Sequence, residues 1–375
     1  MADNVCSECI GDDDLQRWIR QQDGPRGCDF CERSDAPTAD FRAFADHVES
    51  HLHRWWSLAV DELPYESREG GYQGSELWDT HDVLDETQLE FPRDRKDVLR
   101  RALVSALPDQ TWCEYDWTTL DFDRALGSSW DEFCDTIKHR RRFFFQETGR
   151  DDRDSYTPAS LLATIARISS RLGLIRNIAA GTTLCRARTD LKSDADANAA
   201  AFGPPPVKYA TQSNRMNPPG IPMLYLASSA TTALMETRVE AAHVGTWRAL
   251  RPLRVLDLRT LPPIPGFFAE DDREDRLATK FLREFAADIM VPVERDDRVH
   301  IDYLPSQVVT EFMRDHDFKG GRIDGIAYGS TVHKAGWNVA LFASARQLGL
   351  DEPGWGRPVE PWLEFVGADV AKQFP

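Results

Sequence analysis

The 375-residue chain contains no apolar run that approaches the ~20 residues needed to span a bilayer. Its first 20 residues include five acids and no apolar core, so they do not resemble a secretory signal peptide. Basic residues are outnumbered, with 45 Lys and Arg against 62 Asp and Glu and a formal net charge of −17. We therefore expect a cytoplasmic protein without a membrane partner. The excess of acids also argues against nucleic acid as a partner, because it repels the phosphate backbone.

The chain also lacks internal repeats and long basic runs, apart from the cluster at residues 138–142. That cluster ends a helical pattern, and it either stabilises the carboxyl end of the helix or binds a nucleotide or RNA. We favour the first, because cations are stabilising at a helix carboxyl end. The hydrophobic content of 41% and the eleven tryptophans indicate packed domains rather than disorder. The length fits two domains.

Cysteine is sparse, with seven in the chain, but four of them form two Cys-x-x-Cys pairs separated by 18 residues. Thiols three positions apart on a tight knuckle can reach one ion, and four thiolates complete a tetrahedral shell with no open position. A disulfide pair or free thiols are the alternatives, and a reducing compartment disfavours the disulfide. We therefore predict a structural Zn²⁺ site. Its ligands are Cys6, Cys9, Cys28 and Cys31.

A loop–strand–helix unit in the second half of the chain carries Arg215, Tyr225 and Glu236. A Pro-Pro-Gly turn precedes a predicted strand at about 223–228, and strong helix formers follow it. An anion-binding guanidinium, a ring that stacks and an acid are what chemistry on a nucleotide requires. Each also has a plain structural interpretation: a solvated loop arginine, core packing of a strand, and a solvated helix face.

This pattern resembles the core of the RES family, which runs close to GRWNPPG, lYla and AllE. The steps from arginine to tyrosine and from tyrosine to glutamate are ten and eleven residues, as in the family. Two further pieces follow the family order: a first strand with Arg186, and a strand-end serine, Ser330, followed eight residues later by Asn338. The resemblance covers roughly residues 180–345.

Two positions in the loop depart from the family pattern. Asn214 stands where glycine is usual, and Met216 stands where an aromatic residue is usual. These departures leave the charged atoms in place but bear on the conformation of the loop. Ser306, which follows a proline, is a second candidate for the family serine. We favour Ser330 because its spacing to Asn338 fits, and we expect Ser306 to cap a helix that starts at the next residue.

The resemblance implies a fold similar to ADP-ribosyltransferases and chemistry on NAD⁺ as a substrate, with no redox cofactor. Several family members are toxins that break the nicotinamide–ribose bond, some with phosphate as the acceptor, and toxic members are often held in check by an antitoxin. By resemblance, the catalytic residues are Arg215, Tyr225, Glu236 and Ser330, and the substrate-binding residues are Arg186, Asn217 and Asn338.

Physical chemistry agrees with these roles. Cleavage of an N-glycosidic bond develops positive charge on the ribose, which a carboxylate such as Glu236 stabilises. Arg215 and Arg186 would hold the pyrophosphate or an attacking phosphate, because a guanidinium matches oxyanions in a bidentate way. Tyr225 would stack on a base, and Ser330 would add a neutral hydrogen bond.

The N-terminal part is similar to the zinc-containing, HEPN-like helical segment that often precedes RES domains. The similarity lies in the paired cysteines and the helix after them. HEPN ribonucleases carry an arginine followed closely by a histidine on one helix. The interval from Arg42 to His47 is comparable, but we expect His47, His51 and His53 to lie on a solvated helix face. Nuclease activity is therefore not predicted.

The expected fold class is α+β: a helical N-terminal domain followed by a RES domain. The predicted domains are residues 1–175 with a zinc module at 1–35, a RES domain at 176–350 and a tail at 351–375. Helices are predicted at about 12–22, 38–52, 94–106, 129–146, 158–172, 231–242, 273–290 and 306–316, and strands at about 183–188, 207–211, 223–228, 253–258, 322–328 and 338–344. Residues 192–206 read as a loop able to cover the site.

The sequence thus predicts a RES-type enzyme that cleaves NAD⁺ by phosphorolysis or hydrolysis and acts as a toxin or defence effector. Its expected partners are NAD⁺, phosphate, an antitoxin or regulatory protein, and further copies of itself. Three alternatives stay open: transfer of ADP-ribose to a macromolecule, a non-catalytic protein that senses NAD and binds a partner, and RNA cleavage that depends on His47. The departures at Asn214 and Met216 keep the second alternative open.

Overall fold

The computed structural model describes residues 3–25, 27–31, 33–94, 96–145, 150–270, 273–291, 298–350 and 359–372. The chain divides into two compact units: unit 1 comprises Met1–Ala125 and Pro263–Lys280, and unit 2 comprises Leu126–Pro262 and Phe281–Pro375. The division at residue 125 falls before the boundary at 175 that we predicted from the sequence. None of the helices in the described ranges is long and apolar enough to cross a lipid bilayer.

Unit 1 combines short helices with small antiparallel sheets. Its elements are β1 (Asn4–Cys6), α1 (Asp13–Arg20), β2 (Thr38–Asp40), α2 (Phe41–Leu52), β3 (Trp56–Leu58), α3 (Ala59–Glu62), β4 (Tyr65–Glu66), β5 (Gly71–Tyr72), β6 (Leu77–Trp78), α4 (Thr80–Glu86), α5 (Val98–Ala106) and β7 (Trp112–Glu114). β1 pairs with β2, β4 pairs with β5, and β7 lies between β3 and β6. The N-terminal region, expected to be all-helical, therefore also contains short strands.

Aspartates start the first two long helices of unit 1. The Asp12 carboxylate accepts hydrogen bonds from backbone N–H groups at the start of α1, and Asp40 does the same for α2. Helix α2 thus begins after Asp40 rather than after Thr38, which belongs to β2. The apolar faces of α1 and α2 meet in one core that also includes Phe268 and Trp112.

The histidines of α2 do not lie on a solvated face, contrary to the expectation from the sequence. His51 is 3% exposed, and its Nδ1 lies 2.9 Å from the His47 carbonyl oxygen. The His47 ring stacks on Trp18, with 4.4 Å between the ring centroids. Trp18 of α1 covers His47, and the Phe268 ring lies 6.2 Å from the His51 ring. A helical wheel of α2 alone does not contain that information.

Unit 2 is built on one large sheet. Its elements are α6 (Phe122–Asp135, which begins in unit 1), α7 (Pro158–Arg171), β8 (Ile175–Ile178), β9 (Thr183–Arg188), α8 (Ala199–Phe202), β10 (Leu224–Ala227), α9 (Ala230–Thr237), β11 (Ala241–Ala249), β12 (Leu253–Asp257), α10 (Arg273–Met290, which also begins in unit 1), α11 (Val299–Asp302), α12 (Leu304–Asp315), β13 (Gly325–Gly329), β14 (Trp337–Leu341) and β15 (Leu363–Lys372). A π-helical turn, Thr136–Arg140, ends α6.

The eight strands of unit 2 follow the order β15-β11-β9-β10-β14-β13-β12-β8. Only the β12–β13 pair among these is parallel. A large apolar cluster that includes Leu226, Trp247 and Val339 packs on the sheet, and a smaller cluster joins Cys185 and Val244 to Ala233 of α9. This arrangement confirms the predicted α+β fold class.

Three local predictions in unit 2 are wrong. Residues 207–211, expected as a strand, contain a 3-10 turn at Val207–Tyr209. The helix expected at 231–242 ends at Thr237, because Arg238 adopts a left-handed conformation with φ of 58° and strand β11 begins at Ala241. The segment 351–375, expected as a tail, contains β15, which pairs with β11 along its length. In the last case, pairing within the sheet overrides local propensity.

Candidate active site and candidate metal centre

A cavity of about 600 Å³ in unit 2 is lined by parts of β9, β10, α9, β13 and β14. Its wall includes five of the seven residues that we predicted from the sequence: Arg186, Arg215, Tyr225, Glu236 and Asn338. The other two predicted residues, Ser330 and Asn217, contact members of this set from behind the wall. The fold therefore brings all seven into one region.

Two neutral donors hold the Glu236 carboxylate. The Ser330 hydroxyl donates to Glu236 Oε1 at 2.8 Å, and the Asn338 amide donates to the same oxygen at 2.6 Å. The other oxygen, Oε2, takes no hydrogen bond from the residues that the structure describes. One carboxylate oxygen is thus fixed, and the second is available to a molecule in the cavity.

The sheet explains why these three side chains meet. Ser330 follows β13 directly, and Asn338 lies in β14 opposite Tyr328 of β13. Asn338 is also paired with Ala227 at the end of β10, from which α9 begins. The Ser229 side chain caps α9 by accepting from the Thr232 backbone N–H. Glu236 therefore sits on a helix whose start is fixed beside the strand that carries Asn338.

Arg215 lies on a turn that buried polar side chains hold in place. Asn214 and Asn217 exchange backbone hydrogen bonds of 3.0 and 3.3 Å, and the Gln307 amide donates to the carbonyl oxygens of both. The Ser306 hydroxyl donates to the Arg215 carbonyl oxygen at 2.6 Å. The Arg215 guanidinium lies over the Tyr328 ring at 5.7 Å and has no carboxylate partner within the described ranges.

β9 contributes two guanidiniums to the cavity wall. Arg186 and Arg188 lie two residues apart and so face the same side of the strand. The Arg186 side chain donates to the Gly203 carbonyl oxygen at 2.6 Å, and the Arg188 side chain donates to Ala201 at 2.9 Å. Burial, with a contribution from neighbouring Arg188, lowers the pKa of Arg186 to about 9. This leaves Arg186 charged at neutral pH.

The segment 192–206, which we read as a covering loop, is anchored in the structure. It contains helix α8, and Phe202 of that helix is fully buried in the apolar core of the sheet. The residues on either side of Phe202 accept the hydrogen bonds from the β9 arginines: Gly203 from Arg186, and Ala201 from Arg188. The segment therefore orients those arginines.

Tyr225 lines the cavity with its hydroxyl group held at the back. The hydroxyl donates to Asn217 Oδ1 at 2.7 Å and accepts from the Met216 backbone N–H at 3.2 Å. Burial raises the pKa of Tyr225 well above its usual range, so the phenol stays neutral. Asn217 is 4% exposed and also donates to the Ile221 carbonyl oxygen. Its predicted role in substrate binding has no support from this buried position.

The two candidate serines occupy different places. Ser330 contacts the carboxylate of Glu236, whereas Ser306 is 6% exposed and supports the Arg215 turn. The expectation that Ser306 caps a helix starting at Gln307 is wrong. Helix α12 begins at Leu304, and the Ser306 hydroxyl also lies 3.0 Å from the Tyr303 carbonyl oxygen. Proline in the first turn moves the start of the helix upstream of the serine.

The cavity wall also includes residues that were not predicted from the sequence, among them Arg188, Tyr303 and Tyr328. The i and i+2 spacing of Arg186 and Arg188 on a predicted strand was a sufficient signal for the first. Burial raises the pKa of Tyr328 to about 12. Nothing local in the sequence distinguishes the two tyrosines from core residues.

The four cysteines of the N-terminal pairs converge in unit 1. Their sulfur atoms lie within 4.8 Å of one another, with Cys6 at 3.6 Å from both Cys9 and Cys31 and Cys9 at 3.7 Å from Cys28. Metal–sulfur bonds of about 2.3 Å in a tetrahedron require sulfur–sulfur distances of about 3.8 Å. The observed distances match this geometry, so the cluster could bind a metal ion.

Contacts around the cluster fix the second cysteine pair. The Cys28 backbone N–H donates to the Arg33 carbonyl oxygen at 2.7 Å. The Asp29 carboxylate accepts from the backbone N–H groups of Asp3 and Asn4 at 2.7 and 2.9 Å, which joins the loop to β1. Hydrogen bonds from the Cys6 and Cys9 thiols lower the pKa of Cys28, so the cluster already favours a thiolate. A bound cation would favour the thiolate form of the other three cysteines as well.

Comparison with family models identifies two regions of the chain. Residues 183–359 match the RES domain, and residues 21–151 match HEPN/RES N-terminal domain 1. The chain therefore carries a RES domain and, ahead of it, a HEPN/RES N-terminal domain, as the resemblance implied. No curated protein and no solved structure matches the chain significantly.

The matched ranges relate differently to the two candidate sites. The RES range contains all seven predicted site residues and the additional arginine of β9. The N-terminal range begins at residue 21 and so includes Cys28 and Cys31 but not the first cysteine pair. The roles of the individual residues stay predictions, as does the similarity to ADP-ribosyltransferases.

Proposed function

We propose that the RES domain cleaves NAD⁺ at the bond between nicotinamide and ribose. The observation that carries this proposal is the Glu236 carboxylate, which two neutral donors hold through one oxygen at the wall of a cavity that also presents guanidiniums. The match to the RES domain supports NAD⁺ as the substrate. The chemistry follows from the charges that develop during cleavage.

Breaking the glycosidic bond leaves positive charge on the ribose while the bond electrons pass to the nicotinamide nitrogen. A fixed carboxylate next to the ribose stabilises that charge without having to reorganise. The unengaged Oε2 of Glu236 would face the sugar, while Ser330 and Asn338 prevent rotation of the carboxylate. Because its phenol is neutral, Tyr225 would offer a ring face and not a base.

The guanidiniums supply the anion-binding part of the site. Arg186, Arg188 and Arg215 line one cavity, and the pyrophosphate of NAD⁺ brings two negative charges into it. Asn214 and Met216, which depart from the family pattern, are accommodated. The first forms the backbone bridge of the turn, and the second is buried with its sulfur 3.1 Å from the Thr310 hydroxyl. These contacts support a turn that keeps its structure despite the two departures from the family pattern.

Either phosphate or water can complete the reaction. Attack of a phosphate oxygen on the ribose carbon releases neutral nicotinamide and forms ADP-ribose 1-phosphate. Attack by water forms ADP-ribose and releases a proton. The cavity wall carries three guanidiniums and two carboxylates, Asp190 and Glu236, so its charge alone does not select between the two acceptors.

We further propose that the enzyme acts as a toxin or defence effector that an antitoxin or regulatory protein restrains. The basis is the known behaviour of RES toxins, in which loss of NAD⁺ is harmful to the cell. The ion held by the four cysteines is proposed to be Zn²⁺, since four thiolates in tetrahedral arrangement suit that ion and leave no open position for catalysis. Its role would be to stabilise the fold of unit 1.

The first experiment measures NAD⁺ consumption by the purified protein, with and without phosphate. We expect loss of NAD⁺ in the wild type and in Arg248→Ala, an exposed control on β11, and no loss in Arg215→Ala or Glu236→Ala. Phosphate dependence would identify the acceptor. Label transferred to a macromolecule would favour a transferase instead. Calorimetric NAD⁺ binding without turnover, unchanged by Glu236→Ala, would favour a sensor.

A further inference from the structure

The loop between β13 and β14, residues 330–336, is attached to helix α9 at two points. One is the hydrogen bond from Ser330 to Glu236. The other joins His333 Nδ1 to the Thr232 hydroxyl, with 2.9 Å between the two atoms. We propose that His333 is a positioning residue, whose bond to Thr232 keeps the loop on α9 so that the Glu236 carboxylate stays oriented. The proposal rests on the proposed NAD⁺ cleavage.

Thr232 is well placed for this task. It is fully buried, and it lies four residues before Glu236, so both side chains project from the same face of α9. Its hydroxyl also lies 2.8 Å from the Ser229 hydroxyl, which caps the helix. The bond to His333 therefore connects the loop to the fixed start of the helix.

The main chain of the loop transmits this attachment to the reacting carboxylate. The backbone N–H groups of Val332 and His333 both donate to the Ser330 hydroxyl oxygen, at 3.3 and 3.1 Å. With its oxygen accepting from these groups, Ser330 directs its own proton to Glu236. The contacts form a closed circuit that runs from Glu236 through Ser330, His333 and Thr232 and returns along the helix.

Gly336 packs closely against both partners of the Thr232–His333 bond. A methyl group added at Gly336 would lie 2.3 Å from the Thr232 hydroxyl oxygen and 2.7 Å from His333 Nδ1. The Gly336 carbonyl oxygen accepts from the Ser330 backbone N–H at 3.0 Å. The Gly336 N–H donates to the His333 carbonyl oxygen at 2.8 Å. The absence of a side chain at this position lets the loop approach α9 closely enough for the His333 bond.

His333 acts through the loop and not as a proton carrier. It is half-buried and does not line the cavity, so it does not contact the space that a substrate would occupy. In the bond to Thr232, either the His333 Nδ1 atom or the threonine hydroxyl can be the donor.

The test compares variants that remove the bond with variants that keep it. His333→Ala and Thr232→Val remove it, whereas His333→Asn retains a polar atom near Nδ1 and Thr232→Ser retains the hydroxyl. We expect the first two to lower kcat about tenfold with KM nearly unchanged, which corresponds to loss of one positioning hydrogen bond. The two conservative variants should retain activity within about threefold. The double variant should be no worse than either single one.

A second readout is independent of catalysis. Amide hydrogen exchange at Val332 and His333 should accelerate about tenfold in His333→Ala and Thr232→Val and should stay near the wild-type rate in the conservative variants. Unchanged exchange, or faster exchange with unchanged kcat, would overturn the proposal. Equal losses in His333→Asn and His333→Ala would also overturn it. A wild type without NAD⁺ turnover would refute the proposed function, and exchange would then decide on the attachment alone.

Discussion

The cysteine cluster of unit 1 and the carboxylate site of unit 2 are assembled by opposite means. The cysteines fall in two short pairs, and their spacing in the sequence already indicates a shared ion. Ser330 and Asn338 reach Glu236 across 94 and 102 residues of sequence. The first site would depend on its proposed metal ion to hold local segments together. The second depends on a sheet that positions distant segments before any ligand binds.

This difference has energetic consequences. Four thiols whose sulfurs lie within 4.8 Å of one another favour one thiolate, at Cys28, and they need a cation to favour four thiolates. Loss of one ligand should therefore disable the whole centre. The carboxylate has two donors, and each bond contributes separately. Loss of one donor should weaken the site by degrees. Variants of the two sites can test this contrast.

The largest effect is expected at the metal centre. Cys28→Ser should reduce metal content from about one ion per chain to none and lower the free energy of unfolding of unit 1 by more than about 5 kcal/mol, because metal binding supplies folding energy. Elemental analysis and urea unfolding would measure both quantities. Cys134→Ser, which changes a cysteine outside the cluster, is the matched control. Metal-free wild-type protein with a stable unit 1 would contradict the prediction.

The next effect is expected at the carboxylate. Glu236→Gln keeps the shape of the side chain and removes the charge, so we expect a loss of about 10³-fold in kcat for NAD⁺ cleavage, with the fold intact. Glu240→Gln, at an exposed position just beyond α9, is the matched control and should be near wild type. If both variants lose activity equally, or neither does, the charge at Glu236 is not what drives the reaction.

The same contrast shows what the sequence can reveal. The cysteine spacing and the RES-like pattern identify residues whose side chains the structure brings together. The cysteines form short local motifs, and the RES-like pieces follow a fixed order along the chain. Tyr303 joins the cavity wall only through the packing of α12 near the Arg215 turn, and no local pattern contains that information. His333 escapes detection for the same reason, since its partner lies 101 residues away.

In the fold too, elements with a clear local pattern were predicted, and elements that depend on distant pairing were not. Helix α10 was predicted at its observed bounds, 273–290, because an amphipathic pattern of that length has few alternatives. Strand β11 was not predicted. Its first residues, Ala241 and Ala242, are good helix formers, and pairing with β15 makes them extended. Strand β15 was missed because Glu364 and Asp369 interrupt its apolar pattern.

A smaller effect, about 2 kcal/mol, is expected from the buried histidines of α2. Burial, together with nearby His51 and Arg54, lowers the pKa of His47 to about 4. The unfolded chain binds a proton below a pKa of about 6.5, while the folded chain resists protonation until about pH 4. Stability should therefore fall as the pH falls from 6.5 toward 4. At pH 5 the loss from His47 should reach about 2 kcal/mol.

Urea unfolding at pH 7 and pH 5 would measure this effect. His47→Phe keeps a ring on Trp18 and cannot titrate, so its stability should fall less between the two pH values than that of the wild type. The cysteine cluster is the same in both proteins, so its contribution cancels when their changes in stability are subtracted. His81→Gln, at an exposed position, should behave like the wild type. An equal pH dependence in His47→Phe would show that His47 is not responsible.

The smallest effect separates the two candidate serines and sharpens the contrast between graded and all-or-none sites. Ser330→Ala removes one of two donors to Glu236, so we expect kcat to fall about tenfold and not to vanish. Ser306→Ala removes a hydrogen bond to the main chain of Arg215 and should chiefly raise KM, by about threefold. Steady-state kinetics of the two variants and of Asn338→Ala would distinguish them. If Ser330→Ala alone abolished turnover, the serine would have a chemical role beyond orienting Glu236, and the carboxylate site would resemble the metal centre in depending on every member.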